Sequence, residues 1–225
     1  MIILGRLDNA KTYNCPLRFT ITECEAGWTH MVCDFNGTVL EFCISCELGN
    51  QPSALIQAVY SFNTYEDNYD GIRAIVIERE DGIPDLEGNC WDHVVVRTFF
   101  TWEEEPQSAK WRIALNPQDH GPENFPLEIT IDRWDIDETK QYKFTVMYRD
   151  LCYAVAKCFT DVLKEHGFMG YHYGTYTDDI NIRELLIIKA YALGILSNLT
   201  SVDKIPEYRY DFTYEEEIQL LMMDM

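Results

Sequence analysis

His172, Asp178 and Asp179 are the residues of this chain whose types and spacing come nearest to a catalytic arrangement. They lie in one tyrosine-rich stretch, YHYGTYTDD, over residues 171–179. A histidine beside a carboxylate can act as general acid and base, so the stretch would suit a hydrolase. The competing interpretation, which we favour, is that two aspartates before a helix stabilise its positively polarised N-terminus.

Motifs with a stronger chemical meaning are missing from the sequence. It contains no G-x-S-x-G elbow, no GxxxxGK[ST] phosphate loop, no G-x-G-x-x-G and no H-E-x-x-H. The acidic run 132–138 lacks the glycine and the distal glutamate of a calcium loop, so we interpret it as a solvated turn. We therefore expect no catalytic residues, no cofactor and no metal.

The eight cysteines give a single CxxC, at Cys43 and Cys46. It falls within a strand-like alternation, where positions three apart point to opposite faces, so the two thiols are not expected to share a metal. The N-terminus does not have the pattern of a signal peptide, which favours a cytoplasmic protein with reduced, free thiols. The most apolar segment, 185–199, is interrupted by Lys189 and is too short to span a bilayer.

The charge balance restricts the possible partners. With 18 Lys and Arg against 38 Asp and Glu, the net charge is −20. Such a chain repels the phosphates of nucleic acids and anionic membrane surfaces, so neither is an expected partner. A basic protein would be attracted, although acidity can also serve solubility alone.

Acidic residues and tyrosines occur together in two segments. From Phe19 to Ile72 there is no Lys or Arg, while eight acids supply a charge of −8. Tyrosines beside carboxylates give rigid contact area together with charge complementarity, which suits a protein interface. We predict that the partner-binding residues are Tyr65, Glu66, Asp67, Tyr69, Asp70, Tyr173, Tyr176, Asp178 and Asp179.

Period-two alternation dominates the first two thirds of the chain and predicts β-strands. Asn36 and Gly37 both tolerate positive φ, which predicts a tight hairpin turn between two of them. The expected strands cover residues 17–22, 28–35, 38–46, 72–78, 93–102, 110–115, 127–134 and 140–148.

Helical spacing appears at three places. Pro52 opens a short helix near residue 55, whose outer face carries no charge. Asp150 is expected to cap a helix that Gly167 ends, and Asn181 to cap a buried helix that runs to about Ser197. The pattern predicts an α+β fold: a largely antiparallel sheet, the short helix, and two long C-terminal helices packed on one face. We expect a single domain over residues 1–225.

A resemblance adds to these expectations. The run YRDLCYAVAK over 148–157, the residues GFMGYH over 167–172 and the helix from Asn181 together resemble bacterial immunity proteins. Those proteins accompany polymorphic or contact-dependent toxins, and the similarity covers about the last third of the chain. It implies an acidic cytosolic protein that binds one cognate toxin and blocks its active site, without catalysis of its own.

The sequence thus favours an immunity-type inhibitor that occludes a basic site on a toxin such as a nuclease. One alternative is a hydrolase that uses His172 with Asp178 or Asp179. Another is a structural homo-oligomer that associates through the helix at 52–62. The identity of the partner, the interface and the oligomeric state are left open.

Overall fold

A computed structural model describes residues 13–47, 52–62, 76–79, 94–104, 107–115, 124–134, 138–175, 178–195 and 214–225. It contains two antiparallel sheets and four helices over these residues, which confirms the α+β class. The expected sheet is thus two separate sheets, one of three strands and one of five.

The first sheet is an antiparallel meander of β1 (Leu17–Glu25), β2 (Trp28–Phe35) and β3 (Thr38–Ser45). Asn36 and Gly37 have φ values of 52° and 96°, so the predicted tight turn between β2 and β3 is confirmed. Apolar side chains alternate with polar ones along each strand, so one face of the sheet is buried and the other meets solvent.

The second sheet continues the same topology with five strands in sequence order. Two of its connections are hairpin loops, because Glu103 pairs with Ser108 and Trp134 pairs with Thr139. The strands are β4 (Val76–Arg79), β5 (Val94–Glu103), β6 (Ser108–Leu115), β7 (Pro126–Trp134) and β8 (Thr139–Met147).

Aromatic side chains hold the two sheets together. Phe42 of the first sheet packs against Trp102 and Phe35 stacks on Phe144, with ring centroids 5.2 Å and 4.0 Å apart. Residues of both sheets and of three helices form one hydrophobic cluster. This continuity accords with a single core, while the assignment of residues 1–225 to one domain stays a prediction.

The helices are α1 (Ala54–Ser61), α2 (Tyr148–Thr175), α3 (Ile182–Ala192) and α4 (Tyr214–Met222). Two long C-terminal helices are not confirmed, since α2 has 28 residues but α3 only 11 and α4 only 9. Gly194, at a φ of 70°, follows the end of α3, and the amides of residues 194 and 195 bond back to helix carbonyls. A glycine in this conformation ends a helix, so α3 is shorter than its apolar pattern predicts.

Two predicted caps are wrong in detail. The helix α2 begins at Tyr148, so Asp150 lies in its first turn, and its buried carboxylate accepts a hydrogen bond from the Tyr13 hydroxyl. Asn181 occupies the N-cap position of α3, but its side chain makes no capping hydrogen bond. At Asp150, the hydrogen bond with Tyr13 takes the place of the local capping bond that was expected.

The uncharged helix α1 is covered by the rest of the chain. Leu55, Ile56 and Val59 are fully buried, and the Tyr148 hydroxyl donates to the carbonyl of Val59 at 3.1 Å. Of residues 52–62, Gln57 alone is exposed. This cover removes the reason for expecting a homo-oligomer through this helix.

Within the described ranges, no helix has the length and apolar character needed to cross a bilayer.

Candidate functional site

Two stretches without Lys or Arg meet at one end of the molecule. The first runs from Phe19 to Ile72, and a second covers residues 165–182. The Gly27 amide, in the turn between β1 and β2, donates to the Gly174 carbonyl near the end of α2 at 2.9 Å. The Cys46 amide, just after β3, donates to the Gly27 carbonyl at 2.9 Å. Three segments without Lys or Arg therefore meet here: the β1–β2 turn, the residue after β3 and the last turns of α2.

We call this surface the acidic end. Its side chains come from β1, from the residue after Cys46, from the last turn of α2 and from the α2–α3 connection, and all are exposed to solvent. Asp179 is wide open to solvent, with 85% of its side chain accessible. Because neither stretch supplies a cation, the negative potential here is not neutralised by its own segments. The acidic end consists of Glu23, Glu25, Glu47, Tyr173 and Asp179.

Gly174 allows the end of α2 to lie directly against the β1–β2 turn. A Cβ atom placed on Gly174 would lie 2.3 Å from the carbonyl oxygen of Cys24, which is closer than any Cβ contact allows. On the other side of the junction, Ala26 and Gly27 have φ values of 52° and 80°. The end of α2 can therefore approach the β1–β2 turn only without a side chain at residue 174.

A β-bulge brings Glu23 to the surface. Leu17, Phe19 and Ile21 point into the core, and strict alternation would turn residue 23 inward as well. The pairing of β1 with β2 shifts between Ile21 and Glu23, so Glu23 lies outward opposite His30. The shift could not be predicted from the period-two pattern.

Asp178 is buried, contrary to its prediction as a partner-binding residue. Only 2% of it is accessible, and its carboxylate accepts hydrogen bonds from the Ser53 amide at 3.0 Å, the Ser53 hydroxyl and the Tyr171 hydroxyl. Burial raises the pKa of the Asp178 carboxyl, and the hydrogen bonds from Ser53 and Tyr171 oppose that rise. Asp178 ties the residue before α1 to the end of α2, so its role is structural.

The other predicted interface residues divide into two groups. Tyr173 and Asp179 lie on the surface, as contact with a partner requires. The remaining ones lie outside the described residues: Tyr65, Glu66, Asp67, Tyr69, Asp70 and Tyr176.

His172 pairs with Asp179, and Asp178 points elsewhere. The distance from His172 Nδ1 to Asp179 Oδ1 is 2.9 Å, and both side chains are open to solvent. In the part of the chain that the structure describes, no hydroxyl or thiol is hydrogen-bonded to the His172 ring. The pair has the geometry of a base with its orienting carboxylate, and the described residues place no nucleophile beside it.

A row of three polar side chains on the first sheet was not predicted. Glu23, His30 and Cys43 lie opposite one another on β1, β2 and β3. His30 Nε2 is 3.3 Å from Cys43 Sγ and 4.0 Å from Glu23 Oε2. Burial raises the pKa of Cys43, and the charges of Glu104 and Glu23 raise it further, so the thiol is not an activated nucleophile.

Metal binding and thiol chemistry find no support at these positions. Among the residues with described positions, no group of three or more His, Cys, Asp and Glu side chains could hold a metal ion. Burial raises the pKa of each of the seven described cysteines. Their sulfurs are therefore protonated thiols at neutral pH.

Two cavities lie elsewhere on the molecule. One of about 230 Å³ is lined by Arg133, Lys140 and Tyr142, and one of about 390 Å³ has Phe35 and Phe144 in its lining. Neither includes a residue of the acidic end. A small-molecule site is usually concave, whereas protein interfaces are usually more open. The acidic end is an open surface and not a cavity.

Comparison of the chain with protein-family models, with curated proteins and with solved structures found no match. A function for this chain therefore has to be inferred from the charge, exposure and side-chain types of the acidic end alone.

Proposed function

We propose that this chain is a non-catalytic binding protein that holds a basic protein partner at its acidic end. An immunity-type inhibitor bound to a toxin is the arrangement that we favour. The observation that carries the proposal is the hydrogen bond between Gly27 and Gly174, because it joins two basic-free stretches into one exposed surface.

Electrostatics explains why such a surface would inhibit a nuclease. A nuclease binds phosphates through Lys and Arg, so its substrate groove is basic. The acidic end would be steered to that groove and would compete there with nucleic acid. Tyr173 adds a rigid aromatic side chain, of a type that is enriched in protein interfaces.

Charge reversal at the acidic end tests the proposal. The triple variant Glu25→Lys, Glu47→Lys and Asp179→Lys is compared with a control that carries the same charge change on exposed acids elsewhere. Each replacement adds two charges, so both variants move from −20 to −14. The control replaces Glu128, Glu138 and Glu217 with Lys.

Binding is measured calorimetrically against purified nuclease toxin domains, including any that the reading frame next to this gene encodes. We expect the acidic-end variant to bind at least about 100-fold more weakly, because close charge pairs couple by several kcal/mol. The control should lose little affinity. Equal losses in both variants would mean that net charge alone matters, and failure of the wild type to bind any domain would reject the proposal.

Hydrolysis is a second candidate function, favoured by the 2.9 Å contact between His172 and Asp179. The test is turnover of ester, amide and phosphoester substrates by the wild type and by His172→Ala. A wild-type activity that His172→Ala abolishes would support an enzyme. No wild-type turnover on any substrate would remove this candidate.

A further inference from the structure

Gly167 interrupts α2 with a kink, so the last turns of α2 form a separate helical stretch. Its φ of 68° and ψ of 173° are not helical, and helical structure resumes directly after it and ends at Thr175. This backbone region is accessible essentially to glycine alone. We call residues 168–175 the α2 tip.

The two sides of the α2 tip differ in character. Tyr171 and Thr175, four residues apart, are buried against the protein. Met169 and Tyr173, also four residues apart, lie on the opposite side and are 62% and 66% exposed. Phe168, the first residue of the tip, is also open to solvent, but helical spacing places it on the side of Tyr171 and Thr175. The tip thus presents an apolar stripe of Met169 and Tyr173.

A stripe of this kind is unusual on a soluble surface. Single exposed apolar side chains are common and need no explanation, but adjacent large ones mark interaction sites. The side-chain types also fit, because tyrosine and methionine are enriched in the buried centres of interfaces.

The surroundings of the stripe indicate the chemistry of its partner. The hydrogen bond from Gly27 to Gly174 sets the tip beside the turn that carries Glu25, and Asp179 reaches back to His172 within the tip. No Lys or Arg occurs over residues 165–182. The stripe is therefore an apolar centre with acidic neighbours, which is complementary to an apolar cleft bordered by Lys and Arg.

We propose that the stripe of Met169 and Tyr173 is the apolar anchor through which the chain binds a basic protein partner. This inference rests on the proposed function and adds the residues that become desolvated in the complex. A second copy of the chain is a poorer occupant, because two surfaces of the same negative charge would face each other. A nucleic acid is repelled for the same reason.

The experiment removes the anchor without changing any charge. Met169→Ser with Tyr173→Ser is compared with Ile218→Ser with Met222→Ser, a matched pair of exposed apolar residues four apart on α4. Both variants keep buried side chains intact, so their melting temperatures should match that of the wild type. The probes are the same nuclease toxin domains, titrated at about 50 mM and about 300 mM NaCl.

We expect the stripe variant to raise Kd by about 100-fold, as the loss of central anchors does, while the dependence of Kd on salt stays that of the wild type. The α4 control should bind normally. Normal binding by the stripe variant would overturn the anchor, and the proposed function would stand if charge reversal at the acidic end still weakened binding. A wild-type homodimer that the stripe variant dissociates, measured by sedimentation, would assign the stripe to a second copy and also overturn the proposal.

Discussion

Gly174 shows how one missing side chain positions a surface. The carbonyl oxygen of Cys24 occupies the space that a Cβ atom would need, at 2.3 Å. Because this obstacle is backbone, it cannot rotate away as a flexible side chain can. The last turn of α2, together with Tyr173, stays against the β1–β2 turn only as long as residue 174 is glycine.

We expect Gly174→Ala to lower the free energy of unfolding by about 1–3 kcal/mol, the usual cost of forcing extra atoms into a packed site. Gly170→Ala is the matched control in the same helical segment, since its Cβ would meet only the His166 side chain, at 3.2 Å. Chemical denaturation compares the two variants. A control that loses as much stability as Gly174→Ala would contradict the packing explanation.

The buried carboxylate of Asp178 accepts three hydrogen bonds, and its removal should be costly. Asp178→Ala leaves the Ser53 amide, the Ser53 hydroxyl and the Tyr171 hydroxyl without their buried acceptor. We expect a loss of about 3–5 kcal/mol in unfolding free energy, and a smaller loss for Asp178→Asn, whose amide can still pair with these groups. Similar losses in both variants would show that the hydrogen bonds are not what holds this carboxylate.

The contribution of Asp178 to the free energy of unfolding should change with pH in a direction that its pKa fixes. Burial raises its pKa above 3.8 in the folded protein, so between the two values the folded state binds more protons than the unfolded state. Its contribution to stability therefore falls as pH rises through this window and is constant above it. The difference in unfolding free energy between the wild type and Asp178→Asn, measured across this window, should decrease as pH rises.

At the scale of elements, Lys189 connects three helices. Its ammonium lies on α3 and donates to the carbonyls of Leu221 at 3.1 Å and Met223 at 2.7 Å, near the end of α4. It also bonds to the Thr160 hydroxyl of α2 at 3.4 Å. Lys189 is completely buried, so these acceptors take the place of water.

Burial lowers the pKa of Lys189 to about 7, and nearby Lys164 lowers it as well. The unfolded chain then binds more protons than the folded one between about pH 7 and the ordinary lysine value, so stability should rise with pH in this range. Lys157, Asp161 and Asp224 also act on this amine. We expect the stability of the wild type relative to Lys189→Met to increase from pH 7 to pH 10, measured by guanidinium unfolding; a constant difference would contradict a neutralised Lys189.

The sequence predicts the elements better than their arrangement. The strands and the Asn36–Gly37 turn follow from local patterns, which the structure retains. The division into two sheets depends on which strands pair, and the bulge that exposes Glu23 depends on a register set by tertiary contacts. The helix α4 was missed, although Tyr214, Ile218 and Leu221 have helical spacing.

For the whole molecule, four of the 38 acidic residues behind the net charge of −20 lie together at the acidic end. The first basic-free stretch is visible in the sequence, but its junction with residues 165–182 requires the tertiary hydrogen bond between Gly27 and Gly174. The neighbouring residues Asp178 and Asp179 look alike in the sequence, yet one is buried and the other exposed. A charge pattern thus predicts the presence of an acidic surface and not which of its carboxylates reach solvent.

Long-range attraction leads to a kinetic prediction for the complex. The association rate with a basic toxin domain should fall at least about 10-fold between about 50 mM and about 300 mM NaCl, since salt screens the steering field. The variant with Lys at positions 25, 47 and 179 should lose most of this salt dependence. Stopped-flow fluorescence measures both rates, and an association rate that is insensitive to salt in the wild type would rule out steering.

The way α4 is attached has a consequence for native-state opening. Leu220 packs with Leu186, Ala190 and Ile195 in a small cluster of its own, and the half-buried Leu221 of α4 also packs against the edge of the main core. Such a unit is expected to detach at a lower free energy than global unfolding, so its amides should exchange with deuterium before those of α2. Each opening also uncovers the amine of Lys189. The rate at which an added reagent acylates this amine would therefore report how often α4 detaches.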